Sequence, residues 1–364
     1  MSKLERKKSL IKLIEGEGAE IVSPSMLLPA SVFFDLAGEE FGRRLLLTTG
    51  NNDVEYCLRP DFTLPIAIDF LENKNDIQSA AFGYIGSIFR QRATGAEEFN
   101  QAGIELLGQK NADTALNRVF DFALASLKIY KIKPKIRIGS VEIFESLLEN
   151  LDISKVWLPR IRHRFGQQKN MARLLERLAN PHEVDKNSAP KNKDELIAKI
   201  SEKMRETGLS LTGSRSPEEI VNRYFEKQAL AASKVDKKII NLLKDYLAIK
   251  GEASVSLAKI EVLAAKNNLD ISKPLERLKS YIKTLKEKYQ IEEIIFDASF
   301  SPRLDYYTGI VFEMSSIEKI ICSGGEYHRL LEKIGAQKQM NACGCALWID
   351  RMDKQAQANK GEQK

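Results

Sequence analysis

The sequence predicts an α+β fold on a mainly antiparallel sheet, with a mostly helical segment inserted between the sheet's two halves. Three observations lead there. Strand-like segments fall into two groups, before residue 140 and after residue 290, joined by hairpins and long helical excursions. The stretch between them changes character and becomes rich in Lys, Glu and Leu. There is no alternating βαβ series, no Gly-rich loop of P-loop spacing and no dinucleotide fingerprint, which removes kinase and dehydrogenase readings.

Taken in order, Met1 to Gly18 alternates Lys/Arg with Glu and reads as an amphipathic helix. It lacks the apolar core of a signal peptide, and its acidic residues argue against a transit peptide. Ala19–Ser23 is a strand candidate ended by Pro24, with a second breaker at Pro29, and Val32–Leu36 is compact and apolar. Leu45–Leu58 reads as a hairpin about Gly50-Asn51-Asn52. Leu64–Glu72 reads as a helix that Thr63 can cap, with Pro65 tolerated in its first turn. Phe82–Arg90 and Glu98–Gly108 are strands around a polar loop containing Gly95. Asn111–Tyr130 is a helix, because Leu116, Val119, Phe120, Ala123 and Leu127 form one apolar stripe. A brief strand at Lys135–Ile138 precedes a helix from Val141, and the chain then stays mostly helical to Gln290, apart from a soft polar stretch at Asn180–Asp194. Strand character returns at Glu293–Ser299, Gly309–Ser315, Lys319–Ser323 and Ala342–Ala346. A last helix runs through Arg351, and the polar tail after Met352 is expected to fray. The organisation expected is a core in two parts, 1–140 and 291–352, a connecting segment at 141–290, and a tail at 353–364.

Composition sets outer limits. The 364 residues are 43% hydrophobic and 29% charged, which excludes disordered, collagen-like and low-complexity classes. A net charge of +6, from 56 Lys+Arg against 50 Asp+Glu, is too modest for a dedicated nucleic-acid binder. The lysines look scattered, and rich stretches such as Lys234–Lys250 interleave with acids as solvated helix faces do. Cys57, Cys322, Cys343 and Cys345 form neither a disulfide framework nor a zinc spacing, and three separated histidines add no ligand set, so no metal is expected. No apolar run approaches the ~20 residues that span a bilayer. A cytoplasmic protein is expected.

Three segments carry possible chemistry. In Phe99–Glu105, period 2 puts Phe99, Gln101, Gly103 and Glu105 on one strand face, while Ala102, Ile104 and Leu106 pack on the other. An amide, a glycine gap and a carboxylate make a polar floor for an ammonium or N–H group; an ordinary solvent-facing strand is the competing explanation. In Leu304–Gly309, adjacent Tyr306 and Tyr307 should point to opposite faces, one packed and one offering a hydroxyl to a pocket. Ser323-Gly324-Gly325-Glu326-Tyr327 allows a tight turn or a close backbone approach to a ligand. No Ser-His-Asp or Cys-His constellation is evident.

Together and in order, these segments resemble the catalytic core of histidyl-tRNA synthetase, a class II synthetase. Leu58-Arg59-Pro60-Asp61-Phe62-Thr63 is similar to its Leu-Arg-Pro-Glu-x-Thr segment. Phe89-Arg90 with Phe99–Glu105 looks like motif 2, and Leu304–Gly309 and Gly324–Tyr327 look like the two histidine-specific motifs. Gly344–Arg351 looks like a degraded motif 3, and Pro24 sits where motif 1 helps form a dimer. The resemblance covers about residues 1–140 and 290–352 and implies a class II antiparallel sheet flanked by helices.

The departures redirect the function. Arg90 is kept, but Arg92 stands where the synthetases have a glutamate that helps hold ATP. Pro302 occupies the position of the activating arginine and carries no cation for charge developing on the α-phosphate. Trp348 replaces a glycine beside the adenine site, and the chain offers no anticodon-binding domain after motif 3. Lost adenylation with a kept histidine floor resembles the ATP phosphoribosyltransferase regulatory subunits, synthetase paralogues of histidine biosynthesis. Ile136–Phe144 and Arg164-Phe165-Gly166 are also reminiscent of that family.

That resemblance implies a non-catalytic protein without a cofactor. It would associate, as a homodimer within a hetero-oligomer, with the short-form ATP phosphoribosyltransferase catalytic subunit, and would bind L-histidine as a feedback effector, with no tRNA and no membrane involved. Carried over by position, Asp61, Thr63 and Gln101 would hold the histidine ammonium, Glu105 and Tyr307 would read the imidazole with Tyr327 nearby, and Arg90 would meet the carboxylate. Three rival readings predict different behaviour: a truncated histidine-adenylating enzyme, a tRNA-binding adaptor, and a stand-alone amino-acid ligase.

Overall fold

The computed structural model describes residues 1–36, 39–50, 54–73, 79–179, 192–206, 216–233, 235–291, 293–302 and 306–361. The chain forms two compact units, Met1–Leu147 with Ala248–Lys364, and Leu148–Leu247. The stretch expected as one segment at 141–290 is therefore divided: 148–247 stands as its own unit, and the rest belongs with the sheet.

The first unit begins with α1 (Lys3–Gly16), β1 (Glu20–Ile21), β2 (Leu27–Pro29), α2 (Ala30–Leu36), α3 (Glu39–Gly42), β3 (Leu47–Thr49) and β4 (Glu55–Leu58). It continues through α4 (Thr63–Asn73), β5 (Ala80–Phe89), β6 (Glu98–Leu107), α5 (Ala112–Ile129), β7 (Lys135–Ser140) and the start of α6 (Val141–Glu149). The second unit holds α7 (Leu158–Arg164), α8 (Gln168–Ala179), α9 (Lys193–Glu206), α10 (Pro217–Ala232) and α11 (Lys237–Leu247). The first unit resumes with β8 (Lys250–Glu252), α12 (Ala253–Lys266), α13 (Ser272–Tyr289), β9 (Ile294–Asp297) and β10 (Ile310–Ser316). It ends with β11 (Lys319–Glu326), α14 (Leu330–Lys333), β12 (Ala342–Trp348) and α15 (Ile349–Gly361).

The nine-stranded sheet runs β1-β5-β6-β12-β11-β10-β7-β9-β8. Its six middle strands pair antiparallel throughout; β1–β5 and β7–β9 are parallel. The α+β class with a mainly antiparallel sheet flanked by helices is what the molecule shows. Helix α5 lies on β6, β11 and β12, and its stripe Leu116, Val119, Phe120, Ala123 and Leu127 is buried as the 3.6 period requires. Asn111 caps it by accepting from the Thr114 N–H at 2.9 Å. On the opposite side Phe33, Phe62, Phe70, Phe82 and Tyr84 join the core cluster that supports the small sheet β2-β4-β3 and α4. Strand β6 is thus covered on both faces, which removes the solvent-facing alternative for Gln101 and Glu105.

Several elements differ from expectation. Strands β3 and β4 pair antiparallel, Thr49 opposite Glu55, while the proposed turn residues Asn51 and Asn52 lie outside the described residues. So do Leu304 and Asp305, and residues 180–191 of the polar stretch. The cap of α4 is Asp61, whose Oδ1 accepts from the Leu64 N–H at 3.2 Å; Thr63 is already the first helical residue. Gly324 and Gly325 form no turn. They lie within β11, paired on one side with β12 and on the other with β10, and a Cβ on Gly325 would press on the Ile310 carbonyl and Val311. The polar tail does not fray after Met352 either: α15 reaches Gly361, held by buried Met352 and by Asp353, which accepts from Arg6 at 2.7 Å.

In the second unit, Met171, Leu174, Leu175 and Leu178 of α8 and Ile240, Leu243 and Tyr246 of α11 turn inward, the two helices in contact. The Trp157 indole N–H donates to the Ser233 carbonyl at 3.0 Å. Among the described residues no helix is long and apolar enough to cross a membrane.

Candidate functional site

A cavity of about 480 Å³ opens between the sheet and the elements carrying residues 41–63, and it brings all seven candidates together: Asp61, Thr63, Arg90, Gln101, Glu105, Tyr307 and Tyr327 line it. The floor is β6, and neighbouring strands supply the rest because of register. Gly344 of β12 lies opposite Glu105, and a Cβ there would collide with the Glu105 carboxylate. Trp348 lies opposite Gln101, four residues further along and so some ~13 Å from Glu105. On the other side of β6, Tyr84 faces Gly103, whose missing side chain leaves room for the phenol ring.

At the Glu105 end the site is acidic and lined with hydroxyls. Thr63 donates to Glu105 Oε1 at 2.7 Å, and the Tyr327 hydroxyl donates to Oε2. Burial pushes the Glu105 carboxyl up to about 8; the bonds from Tyr327 and Thr63 only partly oppose it, and the nearby Asp61 adds to it. Near neutral pH the site therefore favours the neutral form of Glu105. Burial also raises Asp61, against the pull of Arg90. One Asp61 oxygen caps α4, while the other, Oδ2, is buried and has no partner among the described residues. Gln101, 2% exposed, lines the same cavity. Buried polar atoms left open in this way are costly unless a ligand meets them.

The far end is basic. Arg44, Arg90, Arg92 and Arg351 line the same cavity and none has a carboxylate partner within ion-pair distance among the described residues. Arg90 Nε donates to the Pro60 carbonyl at 2.6 Å, and its guanidinium lies 5.0 Å from the Phe41 ring centre. Arg92 stacks on Phe99 at 3.6 Å. Burial draws the pKa values of Arg90 and Arg92 down, and Arg44 near both pushes the same way. An acidic end with open acceptors and a basic end with open donors suit a zwitterion whose side chain carries an N–H donor.

One expectation needs correction. Tyr306 and Tyr307 do not face opposite ways; both line the cavity, their ring centres 5.2 Å apart, because the segment turns before β10 begins at Ile310. Tyr306 packs in the core, 2% exposed, and also lines the cavity. Glu326 does not face the site. Arg277 of α13 grips it bidentately at 2.6 and 3.0 Å, and the Ile310 N–H donates to it at 2.8 Å. The sequence also gave no hint of Tyr84 or Arg44: Tyr84 would follow from its pairing with Gly103, but only once the register is known.

The chain matches the family model described as histidyl-tRNA synthetase over residues 2–215 and 218–352. It is 33% identical over 354 residues to the ATP phosphoribosyltransferase regulatory subunit of Sinorhizobium medicae (strain WSM419), covering 93% of this chain and 94% of that one. With the protein of the same name from Brucella ovis (strain ATCC 25840 / 63/290 / NCTC 10512) it shares 32% over 352 residues, 92% of each. The chain belongs to the ATP phosphoribosyltransferase regulatory subunit family. Solved structures place the fold beside the synthetases. One, titled as an ATP phosphoribosyltransferase regulatory subunit/histidyl-tRNA synthetase from Bacillus halodurans C, has a TM-score of 0.64 at 21% identity, covering 96% of this chain and 79% of that one. Histidyl-tRNA synthetase from Nostoc sp. PCC 7120 has a TM-score of 0.62 at 16% identity, covering 98% and 72%.

As a regulatory-subunit family member the chain is a non-catalytic subunit, and the cavity is built accordingly. Arg92, Pro302 and Trp348, the positions expected to depart from the synthetase pattern, all line it. The Trp348 indole has the Arg351 guanidinium 5.3 Å from its ring centre. Among the described residues no group of His, Cys, Asp and Glu is arranged to hold a metal, and the four cysteines are free and buried.

Proposed function

We propose that this regulatory subunit activates the short-form ATP phosphoribosyltransferase catalytic chain in the first step of L-histidine biosynthesis and returns feedback by binding L-histidine in the cavity. The observation that carries this reading is the open Asp61 Oδ2 in a cavity that Gln101 and four arginines also line. Asp61, Gln101 and the Thr63 oxygen accept from the histidine ammonium. Glu105 and Tyr307 meet the imidazole beside Tyr327, and Arg90 takes the carboxylate. Feedback is then a coupling between two states of the assembly, and it is reciprocal: ~1–3 kcal/mol changes histidine affinity as much as it changes the catalytic chain's equilibrium.

The same reading includes a homodimer inside the hetero-oligomer. Among the described residues, Ile21, Met26, Leu27, Phe34, Leu47 and Val54 are large apolar side chains left at least 40% exposed within one short stretch, which favours burial against a second protein surface. No role for tRNA or a membrane is included.

The test is ATP phosphoribosyltransferase activity of the cognate short chain, with and without this protein, across a histidine titration. Activation that histidine reverses supports the reading. Absent activation, with histidine-dependent exchange of pyrophosphate into ATP by this chain alone, overturns it in favour of a truncated adenylating enzyme.

A further inference from the structure

The formal excess of +6 is not spread over the molecule. Between Lys155 and Arg177 there are seven Lys and Arg residues and one acid, Glu176; the rest of the chain is balanced. This run also inverts the chain's preference for lysine. It holds five of twenty arginines but two of 36 lysines.

Its core is a row on α8. Lys169, Arg173 and Arg177 recur every four residues on the exposed face, opposite buried Met171, Leu174, Leu175 and Leu178, about 6 Å apart along the axis. Arg164 at the end of α7 and exposed Lys155 carry further charge in the same run. None of these five cations has an ion pair among the described residues.

A solvated helix face is built differently in this same protein. On α9 Lys199 pairs with Glu195 at 2.8 Å, and on α13 Lys279 pairs with Glu276 at 3.0 Å. Like charges four residues apart destabilise a helix, and a cation in the first turn, as at Lys169, opposes the helix dipole. Helix α8 carries both penalties and has no acid in its first turn. A surface whose cations meet no carboxylate among the described residues is arranged to meet carboxylates from outside.

We infer that Lys169, Arg173 and Arg177, with Arg164 and Lys155, form a docking surface for an acidic protein partner, one presenting a row of carboxylates at helical spacing. Arginine enrichment with lysine depletion is the composition of a protein interface, and planar guanidinium groups take carboxylates bidentately. A single short row offers too few phosphate contacts for tight binding of nucleic acid. Resting on the function proposed above, that partner in the assembly is the catalytic chain.

The experiment compares wild type with the triple charge reversal K169E/R173E/R177E and with K169R/R173K/R177R, which keeps the charges. Association with the catalytic chain, histidine affinity and thermal unfolding are measured for each in full-length protein. The expected result is that reversal weakens association about 30-fold or more and the charge-keeping variant less than about threefold, with histidine affinity and unfolding unchanged, and that wild-type association weakens steeply with salt. Reversal that leaves association intact overturns the docking surface while the regulatory function stands. Wild type that neither binds nor activates the catalytic chain overturns both. Salt-sensitive binding of a generic RNA that reversal abolishes, with protein association unaffected, assigns the row to nucleic acid and overturns the inference.

Discussion

Glu105 and Glu326 are both buried carboxyls on neighbouring parts of one sheet, 1% and 0% exposed, yet they are held in opposite states. Among the described residues Glu105 meets hydroxyl donors, Tyr327 and Thr63 with a lesser pull from Tyr84, and burial leaves it at about 8. Glu326 suffers the same burial, but donors from His328 and Arg277 overcome it and hold the group at about 2. The Ala342 N–H donates to His328 Nδ1 at 3.1 Å, which leaves Nε2 to face Glu326 at 3.3 Å. One carboxylate is fully partnered by the protein and serves the fold. The other is held short of a cation, and that shortage is what a ligand with an N–H donor can relieve.

The largest effect should come from unpairing Glu326. Arg277→Met leaves a buried carboxylate with one cation partner removed and is expected to cost about 3–5 kcal/mol in urea unfolding at pH 7. Because the folded-state pKa of Glu326 is depressed, its contribution is present above the ordinary carboxylate range and is lost as pH falls from about 4.5 towards about 2. The gap between Arg277→Met and wild type should therefore close in acid. A gap that is constant with pH would break the contrast with Glu105.

Glu105→Gln should act with the opposite sign. A raised folded-state pKa means the folded protein binds the extra proton, so the native Glu105 costs stability as pH rises from about 4.5 through about 8. The amide variant should be more stable than wild type by a few kcal/mol at pH 9 and nearly equal to it at pH 4.5. It should also lose histidine affinity by roughly 10–100-fold, the cost of a hydrogen bond to a charged group. In wild type, histidine binding at pH 6.5 should release close to one proton, read by calorimetry in buffers of different ionisation enthalpy, and far less at pH 9. Equal proton release at both values would overturn this account of Glu105.

Thr63→Val should give the smallest change, since Asp61 and not Thr63 caps α4. Removing the hydroxyl deprives Glu105 of one donor and should weaken histidine binding by about 0.5–1.5 kcal/mol while leaving thermal unfolding nearly unchanged. A large loss of stability would return Thr63 to the role of a cap.

Much of this was legible in local pattern. The stripe of α5, the two long strands of β5 and β6, and the return of strands after residue 290 follow from periods of 3.6 and 2 that packing against a sheet enforces. Motif order also marked the seven site residues, which the cavity gathers. What local pattern misjudged were features decided by a neighbour distant in sequence. The alternation that should send Tyr306 and Tyr307 to opposite faces ends in a turn, and Gly324-Gly325, which locally allow a turn or a close approach, lie where two neighbouring strands need the space. The final helix was cut short because Arg6, the partner that holds Asp353, lies at the other end of the chain.

The sequence by itself determined the fold class and the family, and marked seven candidates that one cavity gathers, because periodicity and spaced motifs are properties of the chain read in order. The tertiary structure alone decided the surroundings of those residues: that burial raises Glu105 while its partners lower Glu326, that one Asp61 oxygen is spent on a cap and the other meets no partner among the described residues, and that no arginine of the cavity has a carboxylate within ion-pair distance among them. The reason is that charge state and hydrogen-bond satisfaction depend on burial and on partners brought from afar, Tyr327 to Glu105 across 222 positions and Arg277 to Glu326 across 49. Those terms fall steeply with distance in space and are indifferent to distance along the chain.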